Sequence, residues 1–229
     1  MDNEVLAAMA RWPNVPAVYG WLSLTESGQW RLHPTGDAVR NPGAPGESIT
    51  SPQILAFIDR NYDVDSDGRW FFQNGPQRVY VRLDAAPYIL RTATDAGSGR
   101  LMLRTHTGLD IRRIEALFLD ENGRLYMTTD RGPGLVAGRD LPALFDALQA
   151  VSAPTSADAP ELSSGHDESA TGQSVDMEDA IAACMQNGQT VWLRALDLQG
   201  FPDAPLALTP AASDHLEALL GYCRLPQAQ

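Results

Sequence analysis

The side chains best suited to holding a ligand are concentrated between residues 73 and 82. Gln73, Asn74, Gln77, Arg78, Tyr80 and Arg82 place amides, a phenol and two guanidiniums along one short stretch. A guanidinium fork matches phosphate or carboxylate oxygens, and a tyrosine ring offers a face to a base or sugar. Arg91 and Arg104 are close enough in sequence to join them on neighbouring strands. The same residues also suit a sheet face of tyrosine and arginine covered by helices or paired with nearby acids.

Asp63, Asp65 and Asp67, followed by Gly68, match the first half of a calcium-binding helix–loop–helix loop. The match stops there. Position 12 of such a loop is Asn74, where a bidentate glutamate is required, and Phe71 to Pro76 cannot continue as the exiting helix. An acidic hairpin tip accounts for the same aspartates.

His106, with Asp110 close behind, is the one histidine placed where a general base could work. A base also needs a nucleophile and an orienting partner. No G-x-S-x-G elbow accompanies His106, and His33, His166 and His215 are scattered elsewhere. A strand-end histidine with an ordinary hydrogen bond explains it as well. Gly132-Pro133-Gly134 is expected to be a turn, and a phosphate loop ending in lysine is excluded because the chain has no lysine. Catalytic residues are therefore not assigned, and no cofactor is indicated.

The elements that must carry these residues are mostly strands. Leu24-Thr25-Glu26-Ser27-Gly28-Gln29-Trp30 is echoed by Val64-Asp65-Ser66-Asp67-Gly68-Arg69-Trp70. A third copy is Leu119-Asp120-Glu121-Asn122-Gly123-Arg124-Leu125, and Gly99-Arg100-Leu101 is a shorter one. Such segments make hairpins, with a type I turn followed by a left-handed glycine in a bulge. The glycines are too unevenly spaced for a solenoid.

Residues 16–24 and 28–33 are expected to form a first hairpin. A meander should follow over 69–74, 77–83, 87–94, 100–106, 114–119 and 123–129. Val79, Val81 and Leu83 alternate with Arg78, Tyr80 and Arg82. Helices are few: one behind Ser51-Pro52 and one near Asp140. The fold class is α+β, strand-dominated, with antiparallel meander or barrel-like sheets. The five tryptophans, Trp12, Trp21, Trp30, Trp70 and Trp192, are spread one per element, as core aromatics usually are.

Residues 152–179 carry seven acids, no basic residue and almost no large apolar side chain. Such a stretch cannot bury enough surface to offset its ordering entropy. The expected layout is a main region 1–151, an acidic linker 152–176 and a strand–strand–helix module 177–229. The main region has two similar halves, about 15–83 and 84–151. Cys184 and Cys223 have no metal spacing and are expected to be buried thiols.

The net charge is −12 and all 17 basic residues are arginine. That balance argues against non-specific nucleic-acid binding. Residues 68–131, however, hold ten arginines against seven acids, so the middle of the chain can still attract anions. No apolar run approaches a membrane span, and the acidic Met1-Asp2-Asn3-Glu4 start is unlike a signal peptide; a cytoplasmic protein is the expectation.

Trp70-Phe71-Phe72-Gln73-Asn74-Gly75-Pro76-Gln77-Arg78-Val79-Tyr80-Val81 resembles a proteobacterial family of unknown function, over about Val15 to Leu148. The order of hairpin, helix, G-x-W turn, V-x-V strand and Ala86-Pro87 is similar to a second family, which has a duplicated β-rich core and a pleckstrin-homology-like half. That resemblance implies a nucleotide-type ligand between the halves and a signalling role, and it supplies no catalytic residue. The functional expectation is a non-enzymatic ligand-binding or regulatory module for a nucleotide-like or other anionic ligand. The alternatives are a protein-docking role through the acidic linker and tail, and an enzyme using His106.

Overall fold

The computed structural model describes residues 1–154 and 176–228. The acidic linker expected over 152–176 lies almost wholly outside the described residues.

The strands assemble into two sheets. The first holds β1 (Val18–Leu24), β2 (Trp30–Leu32), β3 (Glu47–Ser48), β4 (Tyr62–Val64), β5 (Trp70–Asn74) and β6 (Gln77–Leu83), in the spatial order β3-β2-β1-β6-β5-β4. The second holds β7 (Tyr88–Thr94), β8 (Leu101–Thr105), β9 (Ile114–Leu119), β10 (Leu125–Thr129), β11 (Gly132–Val136), β12 (Leu148–Val151), β13 (Val191–Ala195) and β14 (Leu206–Pro210). Its order is β12-β13-β14-β9-β10-β11-β7-β8. The helices are α1 (Asn3–Arg11), α2 (Pro52–Arg60), α3 (Leu141–Asp146), α4 (Met177–Asn187) and α5 (Leu216–Leu220). The protein is therefore strand-dominated α+β, with one sheet curled into a half-barrel.

The sheets are mixed. Hairpins pair antiparallel, but β6 lies parallel to β1, β11 parallel to β7 and β14 parallel to β9. One wiring occurs twice. In each sheet the first strand of a hairpin, β1 or β7, lies parallel to the last strand of a three-strand meander, β4–β6 or β9–β11.

The echoed turns share one hydrogen-bond pattern. The backbone N–H of Thr25 donates to the carbonyl of Gln29, Asp65 to Arg69 and Asp120 to Arg124, and Gly28, Gly68 and Gly123 donate back to the first turn residue; the Asp95 turn is one residue longer, closing on Arg100. Thr105-His106-Thr107-Gly108 is a further copy that the sequence pattern left as a strand end. The glycines of these turns have φ between 71° and 86°. Gly68 needs more than that freedom, because a Cβ there would lie 2.5 Å from the Gly221 carbonyl oxygen.

Gly132-Pro133-Gly134, expected as a turn, opens β11 instead. Pro133 faces Thr128 of β10 and sits one residue before the β7 ladder begins at Gly134, so its missing N–H costs that ladder nothing. Gly134 is packed so closely on Leu90 that a Cβ would come within 2.7 Å of it. Helices α1 and α4 were not expected from sequence. In α4 the Asp176 carboxylate caps the Glu178 N–H, Gly188 closes the other end at φ 64°, and Ala180 and Cys184 form the buried stripe.

A single apolar cluster runs through both sheets. It joins Leu24, Leu83, Ile89, Leu125 and Met127 to Cys184, Leu193, Leu208 and Leu216. The segment after α5 crosses to the first sheet. The Tyr222 hydroxyl donates to the Ala85 carbonyl at 2.8 Å, the Arg224 guanidinium to the carbonyls of Leu83 and Asp84, and the Cys223 N–H to the Gly68 carbonyl. Cys184 is buried and Cys223 half-buried, both as free thiols.

Candidate functional site

The β5–β6 hairpin carries all six ligand candidates, and strand alternation divides them. Gln73 pairs with Arg78 and Phe71 with Tyr80, so Gln73, Arg78, Tyr80 and Arg82 share one face. Asn74 and Gln77 belong to the other face, where they edge an apolar cleft of about 550 Å³ between Trp21, Leu32, Ile54 and Phe72.

Arg82 is not available to a ligand. Its side chain is buried, with Nε donating to Asp84 at 3.0 Å. Nη1 is shared among the carbonyls of Ala38, Asn41 and Ala44, and Nη2 reaches the Ser23 hydroxyl at 3.3 Å. Ser23 in turn bonds His33 Nε2 at 2.9 Å. Burial, and then the Arg82 charge, push the His33 pKa below its ordinary value, so the ring is neutral beside the guanidinium. Arg82 holds the 34–46 loop against the sheet.

Gln73, Arg78 and Tyr80 stay together on a cavity of about 360 Å³. Its other walls are Met9 and Trp12, where α1 ends, the Pro13–Ala17 connection and Pro76. Helix α1 is tied down at its head, where Asp2 receives bonds from Arg60 and Asn61 at the end of α2. Trp12 is 49% exposed, with the Arg11 guanidinium 4.7 Å from its ring centroid.

The polar atoms of this cavity differ in how far they are satisfied. Tyr80 donates to Asp65 Oδ2 at 2.7 Å and stacks on Tyr19 with centroids 4.7 Å apart. Burial, with the Asp65 carboxylate beside it, raises the phenol's pKa. Gln73 is 1% exposed; its Nε2 donates to the Gly75 carbonyl at 2.9 Å. Only a nitrogen can face that carbonyl, so Oε1 is the atom left buried with no donor among the described residues. Arg78 lies over the Phe71 ring at 4.1 Å and enters none of the described ion pairs.

Of the acidic loop, both Asp65 oxygens are occupied. Oδ1 accepts from the N–H groups of Asp67 and Arg69, and Oδ2 from Tyr80 and Arg69 Nε. Burial would raise the Asp65 pKa, but these bonds outweigh it and hold it below the ordinary carboxylate value. Asp67 pairs with Arg69 at 3.0 Å, and Asp63 accepts from the Val64 N–H at 2.8 Å. No group of three or more potential metal ligands is gathered among the described residues.

His106 is enclosed by aromatic rings, with centroids of Trp30, Tyr88 and Tyr62 at 5.4, 6.0 and 6.2 Å. Its Nδ1 accepts from the Ile89 N–H at 3.2 Å, so the proton sits on Nε2, which is buried with no acceptor among the described residues. Burial lowers the pKa to about 3, with the Arg91 charge adding to the effect. Asp110 is bonded to Arg104 at 2.6 Å rather than to the histidine. The ring packs against these aromatics, and among the described residues its one hydrogen bond comes from the Ile89 N–H.

Sequence reasoning missed Trp12, whose approach depends on α1, and it missed a cluster of Arg91, Arg124 and Arg139 around a different cavity. Arg91 lies in the basic middle segment, but nothing in sequence links it to Arg139. No described helix is long and apolar enough to cross a membrane.

The family model DUF2944, described as "Protein of unknown function (DUF2946)", matches residues 1–227. No curated protein matches the chain. Two solved structures are similar to it. One is a DUF1285 family protein from Silicibacter pomeroyi, 17% identical over 65% of this chain and 85% of that one, with a TM-score of 0.41. The other is a DUF1285 family protein from Shewanella baltica, 14% identical over 56% of this chain and 91% of that one, with a TM-score of 0.39.

Proposed function

We propose, for a chain that belongs to this DUF2944 family of proteins of unknown function, a non-enzymatic role as a ligand-binding module. Its site is the cavity between the end of α1 and the β5–β6 hairpin, and its ligand is a nucleotide-like or other anionic small molecule. The observation that carries this reading is the pair Gln73 and Arg78. Among the described residues, a buried acceptor with no donor and a guanidinium with no carboxylate partner share one wall. An unpaired buried acceptor costs about 1–3 kcal/mol, a cost that a ligand N–H or O–H would remove. Arg78 would take the anion, and the exposed Trp12 face a flat ring.

Calorimetric titration against a panel of nucleotides and aromatic carboxylates tests this reading. Arg78→Ala and Trp12→Ala should each weaken binding at least tenfold while the melting temperature stays near that of the wild type. Equal affinity in both variants would remove the site from this cavity. If no member of the panel binds, the ligand-binding reading fails and protein docking takes its place.

A further inference from the structure

The turn between β1 and β2 meets the second sheet over a cavity of about 380 Å³. Three arginines line it from three separate elements: Arg91 on β7, Arg124 after the β9–β10 turn, and Arg139 in the short helical turn Gly138–Asp140. Two of the guanidiniums are anchored by part of their donor set. Arg91 Nη2 donates to the Ser27 carbonyl at 3.0 Å, and Arg124 Nε to Asp120 Oδ2 at 2.6 Å. Arg139 Nε lies 3.7 Å from Asp140 Oδ2, and its side chain is 72% exposed. A guanidinium carries five N–H donors in a rigid plane, so each anchored arginine keeps donors for a second acceptor.

Asp120 holds Arg124 within its own turn, and neither Asp120 nor Asp140 is on the cavity wall. Among the described residues, the one carboxylate on the wall is Glu26, 3.6 Å from Arg124 Nη1 and largely exposed. Such a pair is weak and readily displaced. The rest of the lining is hydrocarbon and backbone, from Leu135 through Gly138 to Leu141. Charges beside an apolar wall act more strongly than charges in open water.

We infer that this cavity is a second anion site, built for the phosphate group of a small phosphate monoester. A carboxylate offers two oxygens and one charge. A monoester phosphate offers three terminal oxygens and between one and two charges, which suits guanidiniums that line one cavity from three elements. The cavity exceeds what a bare phosphate fills, and its apolar wall accommodates an organic body. This site shares no residue with the hairpin cavity.

The test uses phenyl phosphate, inorganic phosphate and benzoate as probes in calorimetric titrations of the full chain at low ionic strength. Phenyl phosphate should bind, and more tightly than either of the other two. Arg139→Ala, an exposed position with little risk to folding, and Arg91→Met should each weaken its tighter binding event at least tenfold, while Arg78→Ala leaves that event unchanged and affects only binding at the hairpin cavity. The inference is overturned if neither phosphate probe binds the folded protein, or if both arginine variants bind phenyl phosphate as the wild type does. It is also overturned if Arg78→Ala alone abolishes binding, since the phosphate would then belong to the hairpin cavity.

Discussion

The enclosure of His106 makes stability depend on pH in a calculable way. With a folded-state pKa of about 3 against an ordinary value near 6.5, the ring is neutral in the native protein and becomes protonated only on unfolding between those limits. The unfolded chain therefore binds one more proton than the folded one in that window. The stabilising contribution is complete above about pH 6.5 and is lost as pH falls toward 3, at about 1.4 kcal/mol per unit. At pH 5 the loss should be about 2 kcal/mol.

Urea denaturation of wild type and His106→Phe between pH 8 and 5 isolates this effect, because the carboxylates titrate in both proteins and cancel in the difference. Phenylalanine keeps a ring in the aromatic cage but abandons the Ile89 N–H, a roughly constant cost of about 1–3 kcal/mol. The gap between the two proteins should be flat down to about pH 7 and then narrow by about 2 kcal/mol at pH 5. Curves that stay parallel over the whole range would refute a neutral, desolvated His106.

Arg82→Met leaves the Ala38 and Ala44 carbonyls and Asp84 without the guanidinium donor, while the Asn41 carbonyl keeps the Ala44 N–H, and should cost about 3 kcal/mol in urea denaturation; a loss below about 1 kcal/mol would mean that water replaces the guanidinium. Gly68→Ala should destabilise clearly more than Gly75→Ala. Both pay about 1–2 kcal/mol for a left-handed backbone, but only Gly68 meets a neighbouring carbonyl at 2.5 Å while Gly75 faces open space. Equal melting temperatures in the two variants would contradict that close approach. Calcium should leave the melting temperature unchanged, since Asp65 already has both oxygens hydrogen-bonded; a calcium-dependent rise lost in Asp67→Asn would restore the metal loop.

What the sequence determined about this protein was local. The glycines of the D-x-x-G-R type turns announced hairpins because a left-handed residue at that position is a property of a few consecutive residues. Alternation in Arg78–Leu83 marked a strand with two unlike faces for the same reason. Even Asp65–Arg69 and Asp120–Arg124, ion pairs within single turns, were implicit in their spacing.

Only the tertiary structure decided which strands lie side by side. The parallel neighbours β1 and β6 are joined through a long connection, and β14 reaches β9 from the far side of residues 155–175. That choice in turn settled the fate of the candidate residues. Arg82 went to the carbonyls of a loop some forty positions earlier, Arg78 came to share a cavity with Trp12, and Arg91 one with Arg124 and Arg139. Turn geometry is set by short-range sterics, which a sequence displays directly. Strand partnership is set by the burial of apolar faces shared over the whole chain, and many arrangements satisfy the same alternation until packing selects one.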